Sequence, residues 1–186
     1  MSDFDNRFGG IARLYGQTAF EKLQQSHICI IGIGGVGSWA AESLARTGIG
    51  KITLIEHDDI AESNINRQIH SLSNTIELSK VETMAERIQQ INPSCKVNII
   101  DDFISTTNCK AYLDNDYNYV IDAIDSIKFK CAIIYYCKRN KIPIITTGGA
   151  GGLTDPTMIT VSDLSNTWND PLAASVRLQL RQQYGY

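Results

Sequence analysis

Residues 28–60, ICIIGIGGVGSWAAESLARTGIGKITLIEHDDI, constrain the fold more than any other part of the chain. An apolar run leads into a glycine-rich turn. A helical stretch follows, and a second apolar run, KITLIE at 51–56, ends in an acid. Gly32, Gly34 and Gly37 make G-x-G-x-x-G between strand and helix. The first glycine permits the tight turn, the second lets a phosphate approach the backbone, and the third lets helix and strand pack closely. The helix N-terminus offers free N–H groups and a partial positive charge to phosphates. Glu56 closes the second strand, about 20 residues on, where an acid bonds a ribose hydroxyl. A tight turn that binds nothing is the bland alternative, and the full strand–turn–helix–strand–acid context argues against it.

The alternation continues. HICIIG (27–32) reads as a buried strand, 36–47 as a helix and 51–56 as a strand. Residues 76–91 have helical period, with Ile76, Met84, Ile88 and Ile91 apolar, and Asn92-Pro93 closes them. Strands follow at 96–100, 119–125 and 142–147, and Ser126 reads as the N-cap of a helix through Arg139. The expected fold is α/β and Rossmann-like, a mostly parallel sheet with helices on both faces. GGAGG at 148–152 breaks the pattern, and MITVSDL at 158–164 reads as a further strand. The tail from Asp170 reads as a helix with Leu172, Val176 and Leu180 on one face. The expected division is an N-terminal helical segment (1–26), a Rossmann-like nucleotide-binding body (27–164) and a C-terminal helix (165–186). A terminal amphipathic helix with little after it to pack on suggests a fragment.

Composition narrows the class. A chain of 186 residues favours one domain. With 43% apolar and 20% charged residues it matches soluble globular proteins. No apolar run approaches the ~20 residues of a membrane helix, and MSDFDNRFGG lacks the basic and apolar regions of a secretory signal. The net charge of −3 does not advertise nucleic-acid binding, although a local patch can provide it. Cys29, Cys95, Cys109, Cys131 and Cys137 form no C-x-x-C pair, so they read as small buried hydrophobes in a reducing cytoplasm.

The glycine loop serves NAD and an adenine mononucleotide equally. The residues after Glu56 lean towards ATP. SNINRQ at 63–68 supplies Asn64, Arg67 and Gln68, and Lys80 follows near the next helix. ATP carries about four negative charges, and its departing pyrophosphate needs cations and a metal. Taken singly, Arg67 and Lys80 read better as solvated surface charges. Asp122 and Asp125 lie at the C-terminal end of the fourth strand, where open parallel sheets place ligands, and a carboxylate there can hold Mg²⁺. Asp125 is the better metal candidate. Asp122 stands equally between metal binding and hydrogen bonding in the strand-end turn.

GIGGVGS, EHDDIAESNINRQ, LSKVE and DAIDS, in this order and spacing, resemble the ubiquitin-activating-enzyme-like superfamily, which includes sulfur-carrier-protein adenylyltransferases. Within it the chain most resembles the tRNA threonylcarbamoyladenosine dehydratases, through RFGGIARLYG (7–16), GIGGVGSWAAESLARTGIG (32–50), NRQIHSL (66–72), YVIDAIDS (119–126), CKRNKIP (137–143) and TTGGAGG (146–152). That family runs longer than this chain. The resemblance implies ATP-dependent adenylation of the free carboxylate of a threonylcarbamoyl group on a tRNA adenosine, followed by cyclisation. By motif position, Gly32, Gly34, Gly35 and Gly37 line the phosphates and Glu56 holds the ribose. Asn64, Arg67, Gln68 and Lys80 surround the polyphosphate, and Asp125 takes the metal. The resemblance implies Mg²⁺, admits a monovalent cation, and implies a homodimer with sulfur-transfer proteins as further partners. Many members carry Arg-x-x-Arg near the N-terminus; here Arg7 is followed by Gly10, and Arg13 is the candidate substitute. Lys128, Lys130, Lys138, Arg139 and Lys141 form either a tRNA-facing patch or the solvated face of a helix. The rival functions are a carrier-protein adenylyltransferase, which shares every ATP residue, and an NAD-dependent oxidoreductase, which leaves Arg67, Lys80 and Asp125 without a role. A non-catalytic binding module is the third.

Overall fold

The structure is a computed structural model and describes residues 3–186, with side chains from residue 6. Five parallel strands form one sheet in the order β3-β2-β1-β4-β5. They are β1 (His27–Ile31), β2 (Lys51–Ile55), β3 (Lys96–Ile100), β4 (Tyr119–Asp122) and β5 (Ile144–Thr146). The helices are α1 (Asp3–Tyr15), α2 (Gln17–Gln25), α3 (Gly37–Thr47), α4 (Lys80–Ile91), α5 (Cys109–Leu113), α6 (Ile127–Arg139) and α7 (Pro171–Tyr184).

The sheet is covered on both faces, and β1 is buried at every position, apolar from Ile28 to Ile31 with His27 at its start. Successive side chains of a strand point to opposite faces. Ile28 and Ile30 join Ile52 and Leu54 beneath Ala41 and Ala45 of α3 and Val81, Met84 and Ile88 of α4. Cys29 and Ile31 join Val120 beneath Leu113 of α5 and Ile133 and Cys137 of α6. The α3 and α4 helices are also tied through buried Glu42, which accepts from Arg46 Nε at 2.7 Å and Arg87 Nε at 2.6 Å. The terminal helix α7 does find a surface: Val176 and Leu180 pack on Cys131 of α6, with Leu172 at the edge.

Some expected boundaries move. The helix forecast from residue 76 starts at Lys80. Before it, Glu77 takes a φ of 68°, its N–H donates to Ile60 O, and Lys80 N–H donates to Asp58 O. Those bonds tie 77–80 to the loop after β2, and Ser79 caps the helix through Glu82 N. The strand forecast over 119–125 ends at Asp122, whose neighbour Ala123 still donates to Ile31 O before the chain turns away. The strand forecast over 158–164 does not form. That stretch lies outside the sheet, and two 3₁₀ turns, Pro156–Met158 and Leu164–Asn166, occupy the region. With no ladder partner, its alternating apolar residues Ile159 and Val161 remain exposed. The short helix α5 had no sequence signal strong enough to forecast it.

Candidate functional site

Strand order reverses at β1. The chain builds β1, β2 and β3 towards one edge, then crosses back to place β4 on the other side of β1. Crevices of open α/β sheets form at the carboxyl ends of the strands at such a switch point. The glycine loop leaves β1 there.

Two glycines of this loop are sterically obligatory. Gly32 has a φ of +86°, and a Cβ on it would press on Ile124 Cγ2 at 2.9 Å. A Cβ on Gly37 would collide with the Gly32 carbonyl. Gly34 and Gly35 leave the loop open towards the 63–68 segment. An added Cβ would lie 4.0 Å from Gln68 Nε2 at Gly34 and 3.3 Å from Arg67 Cδ at Gly35. The α3 N-terminus follows directly.

Glu56 is anchored to the same loop. Its Oε2 accepts from Ile33 N at 3.0 Å, and its Oε1 accepts from His57 N at 2.9 Å. Asn64 is buried and its Oδ1 accepts from Ala61 N at 3.1 Å, which shapes the turn carrying Arg67. The Arg67 guanidinium is exposed and donates to Ser63 O and Asn66 Oδ1, both at 2.9 Å. Gln68 is buried and its Oε1 has no partner.

Lys80 is not a solvated surface cation. It is 5% exposed, and its Nζ pairs with Asp58 Oδ2 at 3.0 Å. Because the Asp58 side chain is half exposed, an ammonium otherwise cut off from water reaches the site edge. Sequence reasoning did not single out Asp58. EHDD held the signal, but nothing in the sequence marked Lys80 as buried.

The two acids after β4 separate cleanly. Asp122 is fully buried. Its Oδ2 accepts from Lys130 Nζ at 2.9 Å and from Thr146 Oγ1 at 2.6 Å, and its Oδ1 accepts from Ile124 N at 3.3 Å. Burial pushes this carboxyl up, while Lys130 and Thr146 pull it back down. Asp122 is thus a hydrogen-bonding hub that joins β4, β5 and α6. Asp125 is exposed and stands outside that network. No group of three His, Cys, Asp or Glu side chains suited to a metal occurs among the described residues. A metal at Asp125 would draw its remaining ligands from phosphate and water, the usual habit of Mg²⁺.

Lys130 must be removed from the candidate basic patch: it is 1% exposed and committed to Asp122. Lys128, Lys138, Arg139 and Lys141 are exposed. The Arg13 guanidinium lies beside Gly9 and Gly10 of its own helix. Arg7 donates to Gln90 O and Ile91 O at the end of α4. All five cysteines are free and buried, and burial pushes the Cys95 and Cys109 thiols up to about 11 and Cys137 to about 12. A thiol so far from ionising is a poor nucleophile.

The family model described as the ThiF family matches residues 9–179. The chain belongs to the ThiF family. Among relatives of this ThiF chain, tRNA threonylcarbamoyladenosine dehydratase of Escherichia coli (strain K12) is 59% identical over 179 residues, covering 96% of this chain and 67% of that protein. The Haemophilus influenzae protein of the same name is 58% identical over 186 residues, covering 100% of this chain and 71% of its own length. Among solved structures, the crystal structure of E. coli tRNA N6-threonylcarbamoyladenosine dehydratase in complex with ATP superposes with a TM-score of 0.98 at 58% identity. It covers 99% of this chain and 76% of that one.

Proposed function

We propose that this ThiF-family chain carries the ATP site of an enzyme that cyclises threonylcarbamoyladenosine in tRNA through an acyl-adenylate. What supports the proposal is a glycine loop at the switch point, with Glu56 bonded to Ile33 N and Arg67 beside Gly35, in a chain that superposes on an ATP-bound dehydratase. In this reading the substrate carboxylate attacks the α-phosphorus of ATP and pyrophosphate leaves. The neighbouring ureido group then attacks the activated carbonyl, a proton is lost, and AMP departs. Water is formally removed and a ring is formed. The loop N–H groups and the α3 N-terminus bind the phosphates, while Glu56 orients the ribose. Arg67 and Lys80 oppose the charge growing on the pyrophosphate, which is where preorganised cations gain most. Asp125 would hold Mg²⁺, which when bound neutralises phosphate charge. A monovalent cation beside the nucleotide belongs to the same proposal. The dinucleotide alternative leaves the buried Lys80, paired with Asp58, without a role.

No protein nucleophile is required, because the attacking ureido group is held close to the carboxylate it attacks. The five buried thiols agree with that route. No helix among the described residues is long and apolar enough to cross a membrane. Homodimerisation, a cytoplasmic setting and contact with sulfur-transfer proteins complete the proposal. The test is a set of Cys→Ser variants assayed for cyclised base by mass spectrometry of digested tRNA. Activity retained in all five supports the direct route. Loss in one variant that still folds, with a thioester trapped to a carrier protein, moves the assignment to a carrier-protein adenylyltransferase.

A further inference from the structure

Trp39 stands in the first turn of α3, two residues beyond Gly37. Its indole is 52% exposed. Its Nε1 donates to Arg67 O at 2.9 Å, so the polar edge of the ring is already satisfied. That bond fixes the ring and joins α3 to the segment carrying Arg67. What remains free is an apolar π-face beside the nucleotide loop. Val36, in the glycine loop, and Ile65, in the segment that carries Arg67, are also exposed apolar residues, at 45% and 44%. The exposed Arg67 guanidinium shares this edge.

The electrostatics of the chain make such a face useful. The net charge is −3, and Lys130, one of the five cations of the candidate basic patch, is buried. The four exposed cations that remain can neutralise phosphates, but phosphate contacts do not distinguish one base from another. Proteins that hold unpaired nucleotides add aromatic platforms on which bases stack. We infer that Trp39 is a stacking platform for an unpaired base of the RNA substrate, placing the modified nucleotide against the ATP site. The inference rests on the proposed function and adds the side chain that recognises the RNA. A fixed ring face with its N–H already used selects a flat, unpaired base over an aliphatic peptide terminus.

The experiment uses the Trp168→Phe background, which leaves Trp39 as the single tryptophan emitter. A tRNA bearing threonylcarbamoyladenosine is titrated in the presence of a non-hydrolysable ATP analogue, and turnover with ATP is followed in parallel. Trp39 emission should be quenched on RNA binding. Trp39→Ala should raise KM for tRNA about tenfold, within the range of one lost base–aromatic stack, and leave ATP affinity unchanged. Trp39→Phe, which keeps a ring but loses the N–H, should stay close to the parent. Three results overturn the inference. One is an unchanged KM in Trp39→Ala. The second is a Trp39→Phe variant that falls with Trp39→Ala in kcat, which would make the ring merely a brace for Arg67. The third is a change of emission with protein concentration and no response to RNA, which would assign the face to a second copy of the chain. A parent protein that turns over no RNA while its Trp39 emission still responds would count against the proposed function and not against the platform.

Discussion

Lys80 shows how far one residue's surroundings decide its role. Its ammonium is almost wholly shielded from water and pairs with an acid that is half exposed. Shielding strengthens its field on any phosphate that enters, whereas exposed Arg67 must rely on geometry. Both are expected to act on departure of pyrophosphate. Lys80→Ala and Arg67→Ala should each lower turnover by about 10²-fold, comparable with loss of one oxyanion donor, with a smaller effect on ATP affinity. Single-turnover adenylation measures this, and an Arg67→Ala enzyme of near-normal rate would return that residue to the solvated surface. His70 makes a second prediction at this scale. It is 1% exposed, both ring nitrogens lack a partner, and burial, then Lys80 and Arg87, hold its pKa at about 4. In the unfolded chain an imidazole titrates near 6.5. Between those values the unfolded state binds a proton that the folded state refuses, so folding stability is complete above about pH 6.5 and falls as pH drops towards 4. The loss attributable to His70 is about 3 kcal/mol, and His27, also lowered by burial first, acts in the same direction. Urea melts from pH 7 to 4.5 should show a shallower decline in His70→Leu, and an unchanged decline would contradict the assignment.

At the scale of elements, the β1–loop–α3 unit and the β4–α6 unit meet at the site. Gly37→Ala would drive a methyl into the Gly32 carbonyl, so α3 could not close onto β1. Loss of ATP binding by calorimetry is expected, with a drop in thermal stability. Lys130→Met would leave the buried Asp122 carboxylate unpaired at the junction of β4, β5 and α6. The cost should be about 3–5 kcal/mol, read by urea denaturation, and adding Asp122→Asn should recover part of it. A Lys130→Met protein of parental stability would show that the pair is not needed there. These units also show what the sequence disclosed. The loop glycines, Glu56 and all five strands could be read because spacing and periodicity follow directly from backbone geometry. The burial of Lys80 and Lys130 could not, because it depends on tertiary partners, Asp58 and Asp122, that no periodicity announces. Residues 158–164 misled for a related reason: their alternation is strand-like, but no neighbouring strand offers hydrogen bonds to that stretch.

For the whole molecule, one reversal of strand order sets the switch point at the carboxyl end of β1, and the proposed site there takes both ATP and a tRNA. Asp125→Asn keeps the shape of the side chain and removes its charge. Activity should fall and recover in part at high Mg²⁺, and an unchanged Mg²⁺ dependence would place the metal elsewhere. The carboxylate activated at this site is expected to belong to a modified tRNA. ATP–pyrophosphate exchange tests it most directly, measured with tRNA bearing threonylcarbamoyladenosine, with unmodified tRNA, and with a ubiquitin-like carrier protein ending in Gly-Gly. Exchange should be stimulated by the modified tRNA alone; exchange driven by the carrier protein, with no response to either tRNA, would overturn the assignment.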